Sequence, residues 1–172
     1  DTSYPFATSV TPPDTDYLFS DCPKDRVGEV LSVKKIKQTD EYTLYDCGKN
    51  ISGYPVLSIT AEKGEAVKCI FSEELTNGEL DQSFSHRQEF TVISDGVMRT
   101  VRPLFTWFGF RYFALYGKAE ALSVEFIHSD VAVTGKFKSD NEILNFINDA
   151  FITTQLSNMH GGIPSDCPHL ER

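Results

Sequence analysis

Between about residue 30 and residue 137, nine short stretches with strand character recur mostly at intervals of 8–15 residues, and no helical period interrupts them. They run Leu31–Lys37, Glu41–Asp46, Val56–Thr60, Ala66–Phe71, Glu89–Ile93, Met98–Arg102, Phe110–Tyr116, Leu122–Ile127 and Val131–Phe137. Alternation within them, as at Tyr42 and Leu44, puts apolar side chains on one face of a strand. Glu62-Lys-Gly-Glu65 and Asp95-Gly96 read as hairpin turns, because glycine enters the left-handed region at little steric cost. A parallel α/β fold needs helices between its strands, and none is patterned here. The pattern predicts a mainly β fold, an antiparallel β-sandwich of jelly-roll type.

At Ser139 the period changes. Ser139 and Glu142 have the spacing of a capping box. Ile143, Ile147, Ala150, Phe151 and Thr154 then follow at i, i+4, i+7, i+8 and i+11, one stripe of a helix expected over Asp140 to about Asn158. A stripe of that length must be buried against something, and a following helical domain suits it better than a sheet edge. At the other end, four of the eight prolines lie at 5, 12, 13 and 23. Residues 1–29 therefore read as loop or linker, since proline fixes φ and lacks an N–H. With no Met and no basic, apolar leader, the chain is expected to begin partway through a longer product, or after processing.

Charge excludes one class of partner. Sixteen Lys and Arg against 25 Asp and Glu leave a net charge of −9, which repels a phosphate backbone, so no nucleic acid is expected. No apolar run approaches the length of about 18 residues that a membrane span needs, and no membrane partner is expected. Cys22, Cys47, Cys69 and Cys167 show no metal spacing, and neither do His86, His128, His160 and His169. The expectation is of buried free thiols, no metal and no cofactor.

Several segments resemble, in order, those of the bacterial α-L-rhamnosidases of glycoside hydrolase family 78. Asp46-Cys-Gly-Lys-Asn50-Ile-Ser-Gly53 is similar to the family's Asp-Phe-Gly-Gln-Asn-x-x-Gly. Phe71-Ser-Glu-Glu-Leu75 with Gly78 resembles its Phe-Ala-Glu-x-Leu…Gly. Pro103-Leu-Phe-Thr-Trp-Phe-Gly-Phe-Arg-Tyr112 resembles Pro-x-Phe-Thr-x-x-Gly-Phe-Arg-Tyr. Gly135-Lys-Phe137 with Ser139-Asp140 also fits, and Asp166-Cys-Pro-His-Leu-Glu-Arg172 resembles the Asp-Cys-Pro-Gln-Arg-Glu-Arg signature. Cys47, Lys49, His169 and Leu170 depart from the usual Phe, Gln, Gln and Arg. The resemblance implies a sandwich over 30–137, and over 138–172 a helix plus the first segment of a truncated (α/α)6 catalytic barrel. It implies an inverting hydrolase for a rhamnose-containing carbohydrate, whose partner is the rest of the barrel in the same polypeptide.

Inverting glycosidases pair a carboxylic acid, which protonates the leaving oxygen, with a carboxylate about 6.5–9.5 Å away that activates water. The resemblance assigns the general acid to Glu171 and the sugar hydroxyls to Asp166. The family's general base lies far downstream and is absent here, so this chain alone is expected to be inactive. Five residues on a helix rotate by about 140°, which agrees that Asp166 and Glu171 are not the acid–base pair. A purely structural alternative has Asp166 capping a helix that begins at Cys167-Pro168.

Leu104–Tyr116 holds seven of the 21 aromatic residues. It is either a sugar-stacking platform or, as the stronger reading, a central strand buried on both faces. Arg111 within it should pair with a carboxylate or with carbonyls. Asp46, Asn50 and Gly53 should shape a tight turn, and Glu73 and Glu74 should be solvated or bonded in a turn. The alternative to a hydrolase fragment is a free-standing carbohydrate-binding or structural β-sandwich module.

Overall fold

The computed structural model describes residues 7–83 and 88–165. The strands are β1 (Asp25–Leu31), β2 (Lys34–Gln38), β3 (Tyr42–Ile59), β4 (Ala66–Ser72), β5 (Leu75–Thr76), β6 (Glu79–Leu80), β7 (Glu89–Ile93), β8 (Arg99–Val101), β9 (Phe108–Tyr116) and β10 (Ala119–Ser129). The helix α1 (Glu142–Ser157) and a small hairpin, β11 (Met159–His160) with β12 (Ile163–Pro164), complete the described chain.

Eight strands form one antiparallel sheet in the order β1-β10-β3-β9-β4-β7, with β2 and β8 both paired to β3. Its organising element is β3, whose 18 residues serve two layers. Tyr42–Asp46 pairs with β9 and β2, whereas Leu57–Ile59 pairs with β10 and β8. The sheet thus curls into a sandwich through a strand that changes layer. Leu57, Ile59, Val124 and Phe126 from one layer close on Cys69, Phe71, Phe110 and Phe113 from the other. Phe71 lies at the centre, fully buried and stacked on Phe108 with ring centroids 4.2 Å apart. Burying rings of this size is the main apolar contribution to the fold.

Two expected hairpins are turns between layers. Gly64 and Gly96 have positive φ as read from the sequence, +88° and +86°. Yet β3 and β4 are separated by β9, and β7 pairs with β4 while β8 pairs with β3. Ser94 ties the two crossings into one corner: its carbonyl accepts from Gly64 N, its N–H donates to Glu65 O, and its hydroxyl donates to Ala61 O. A true Asn-Gly hairpin turn joins β5 to β6, with Asn77 and Gly78 both at positive φ.

Other elements shift. β1 begins at Asp25, inside the region read as loop, and pairs with β10. Val131–Phe137, expected as a strand, forms none; it runs mostly exposed, without a ladder partner for its backbone. The helix starts two residues late, because the side chain of Asn141, not Ser139, accepts the Ile143 N–H at 2.9 Å. Ser139 instead accepts from the Asn141 N–H.

Candidate functional site

Three of the sequence motifs converge at one edge of the sandwich. In the β3–β9 ladder Asp46 pairs with Tyr112 and the next pair is Ile51 with Phe110, so four residues of β3, Cys47–Asn50, face Arg111 alone. This wide bulge bends β3 and re-aims its side chains, as bulges do. Asp46 closes its start by accepting the Gly48 N–H at 2.7 Å, and Gly48 takes φ +86°. The same carboxylate receives Arg111 in bidentate fashion, Nε to Oδ1 at 2.9 Å and Nη2 to Oδ2 at 3.0 Å. That guanidinium holds the Asp46 carboxyl below its ordinary value, against the opposing effect of burial. The Cys47 thiol donates to the Arg111 carbonyl, which the bulge has taken out of the ladder. Burial pushes the Cys47 thiol up to about 12 and raises Cys69 as well. Cys22, in contrast, is exposed.

Asn50 ends the bulge by donating to Glu73 Oε1 at 2.8 Å, which ties the first motif to the second. Gly53 is required for a different reason than a tight turn: a Cβ there would lie 2.1 Å from the Glu125 carbonyl of β10. Arg111, Asn50, Lys49 and Gly48 form one wall of an open cleft of about 610 Å³, and Phe146, Asp149, Ala150 and Thr153 of α1 form the other. The arrangement joins a fixed cation–anion pair to an apolar helix face. Asp46 is held by Arg111 on one wall, and Asp149 of α1 stands on the facing wall.

The helix faces the opposite way to a surface helix of a self-sufficient domain. Asn145, Asn148, Ile152, Gln155 and Leu156 turn towards the sheet, with Leu156 packed on the core and Ser157 buried. The expected apolar stripe points outward, with Ile143 68%, Ile147 55% and Phe151 67% exposed, and Phe146 beside it is 71% exposed. Soluble domains normally direct such a stripe inward.

From Phe108 onward the aromatic segment is a central strand, as its stronger reading required, whereas Leu104 and Phe105 precede the strand and are exposed. Phe108, Phe110 and Phe113 are core residues, which withdraws them from any sugar-stacking surface. Trp107 precedes the strand and stacks on His160. Asp166 and Glu171, the expected sugar-binding residue and general acid, lie outside the described residues, as do His86 and Arg87. The described chain leads up to them through β11 and β12. Sequence reading missed Asp25 and His160, which meet at a distance of 2.9 Å at the tip of that hairpin. The Gly161-Gly162 dipeptide between short apolar flanks was the local signal for the turn.

The chain is a curled antiparallel sandwich followed by a helix whose apolar face is exposed. Residues 36–133, more than half of the chain, match the bacterial alpha-L-rhamnosidase concanavalin-like domain, and the chain belongs to that family. It is 26% identical over 151 residues to an alpha-L-rhamnosidase of Formosa agariphila, covering 79% of this chain and 16% of that protein. An alpha-L-rhamnosidase of Alteromonas sp. is 26% identical over 148 residues, with 80% of this chain and 16% of that protein covered. Among solved structures, the alpha-L-rhamnosidase of Dictyoglumus thermophilum superposes with a TM-score of 0.76 at 27% identity, over 85% of this chain and 18% of that one. The Streptomyces avermitilis enzyme, solved with L-rhamnose, shares the fold with a TM-score of 0.79 at 21% identity, over 87% of this chain and 15% of that one. The chain therefore spans about a sixth of the length of the relatives it matches.

Proposed function

We propose that this chain is the sandwich and entry segment of an inverting α-L-rhamnosidase, inactive by itself, that works with an (α/α)6 barrel in the same polypeptide. The observation that carries the reading is α1, whose apolar face turns away from the sandwich as if to meet a neighbouring helical layer. Family membership and the relatives' length support it. Glu171 protonates the leaving oxygen of a terminal α-L-rhamnoside, so its carboxyl must stay protonated near neutrality by partial burial or by a neighbouring carboxylate. Asp166 accepts hydrogen bonds from sugar hydroxyls, where a charged acceptor gives the strongest orientation. The base that activates water comes from the barrel, on the opposite side of the sugar. Burial of the β9 rings leaves no comparable support for a free-standing binding module.

The test uses the full-length protein with an aryl α-L-rhamnoside and its Glu171→Gln variant. Turnover should fall by about 10²–10⁴-fold in the variant. NMR of the first-formed sugar should show the β anomer. A first-formed α anomer, or an unimpaired variant, overturns the assignment.

A further inference from the structure

The β11–β12 hairpin ends at Pro164, two residues before Asp166. Its tip is held by the sandwich. Asp25, the first residue of β1, accepts from His160 Nδ1 at 2.9 Å with one oxygen and from the Gly161 N–H at 3.0 Å with the other. Ser129, the last residue of β10, is fully buried and accepts the Gly162 N–H at 2.8 Å while donating to Asp25. Gly161 and Gly162 have φ of +62° and +79°, a two-residue turn of the kind that suits a hairpin. A Cβ on Gly162 would come within 2.8 Å of Pro23, so the tip seats directly against the segment entering β1. Ser165 N–H closes the base onto Asn158 O.

The His160 ring is 9% exposed and lies flat on Trp107, with centroids 3.9 Å apart and planes inclined by 13°. Its Nε2 and the Trp107 Nε1 are buried without a hydrogen-bond partner among the described residues. An apolar side chain would fill this place without leaving a polar atom unsatisfied. What histidine adds is a fixed direction through Nδ1 to a residue 135 positions away.

We propose that Asp25 and His160, backed by Ser129 and Trp107, form a positioning latch that fixes where the chain enters the Asp166–Glu171 segment. The latch deepens the hydrolase reading and rests on it for its purpose, though not for its existence. Asp25 and His160 are positioning residues: they set the path of the backbone that delivers the general acid. A displacement of about 1 Å in a catalytic group can cost about 10²-fold in rate, which makes an anchor ending at Gly162, four residues before Asp166, worthwhile.

Asp25→Ala removes both bonds to the tip. Asp25→Asn keeps an acceptor for Gly161 N–H and can donate to His160 Nδ1 in the other imidazole tautomer. Ser129→Ala removes the Gly162 bond and the Ser129 donation to Asp25 but leaves both Asp25 bonds to the tip, and it decides the matter should Asp25→Ala fail to fold. In the full-length protein Asp25→Ala should lower kcat by about 10²-fold with KM little changed. Ser129→Ala should fall between it and wild type, and Asp25→Asn should retain most of the rate. In the 172-residue chain, amide exchange at Gly161 and Gly162 should quicken by about tenfold or more in Asp25→Ala, while β3 and β9 stay protected. Unchanged exchange, an unchanged kcat, or an Asn variant as impaired as the Ala variant overturns the proposal. A wild-type protein inert towards rhamnosides would refute the hydrolase reading, and the exchange result would still decide the latch.

Discussion

Removing the Asp46 carboxylate tests the packing of the bulge most sharply. Asp46→Ala deletes a bidentate ion pair with Arg111 and the bond that closes Gly48. Arg111 is 39% exposed and Asp46 18%, so solvent screening brings the pair down to about 1 kcal/mol. The Gly48 bond adds about 1 kcal/mol. A loss of about 2 kcal/mol in a chain of this length lowers Tm by about 4–8 °C. Asp46→Asn keeps the Gly48 acceptor and should lose about half as much. Arg111→Met combined with Asp46→Asn should show coupling of about 1 kcal/mol in a double-mutant cycle. The pH dependence has a defined sign. Arg111 holds the folded Asp46 carboxyl below its unfolded value. The contribution is therefore complete above the unfolded value of about 3.9 and is lost as pH falls through the folded one. The gap between wild type and Arg111→Met should shrink on acidification below about pH 4. Urea melts at several pH values measure all of this. Single variants within about 0.3 kcal/mol of wild type, or a gap that widens in acid, refute the reasoning.

Other outcomes follow from the same structure. Phe71→Ala should cost about 3–5 kcal/mol in chemical denaturation, because Phe71 is fully buried. Gly117→Ala should cost about 1–3 kcal/mol, since Gly117 has φ +90° and a Cβ would lie 2.7 Å from the Ala66 carbonyl. In a Cys167→Ser background, a thiol reagent at pH 8 should label Cys22 and spare buried Cys47 and Cys69 until the chain unfolds. Ile147→Ser with Phe151→Ser should reduce binding of a hydrophobic dye while changing stability by less than about 0.5 kcal/mol, because both side chains already face solvent.

The strand pattern carried the fold class because alternation and glycine turns are local. What stayed hidden was long-range. Cys47-Gly48-Lys49-Asn50 reads as a turn between two strands, and only the partners of β9 and β10 reveal it as a bulge within one. Whether Gly64 and Gly96 close hairpins or cross layers depends on β9 inserting between β3 and β4, which no local signal states. The helix was readable from its period, but a period does not say which way the stripe points; here the sheet took the polar face. Arg111 was expected to meet a carboxylate, and Asp46 supplies it from 65 positions away. Asp25 and His160 carried no spacing to announce them, since 135 residues separate the partners.

The central claim is that this sandwich serves a hydrolase whose remaining machinery lies elsewhere in the polypeptide. Its most direct measurement compares the 172-residue chain with the complete product of the source gene, at equal concentration, on an aryl α-L-rhamnoside. The account expects turnover by the complete product and none above background by the 172-residue chain. Turnover by the chain alone, or a complete product that cleaves other glycosides but not rhamnosides, would contradict it.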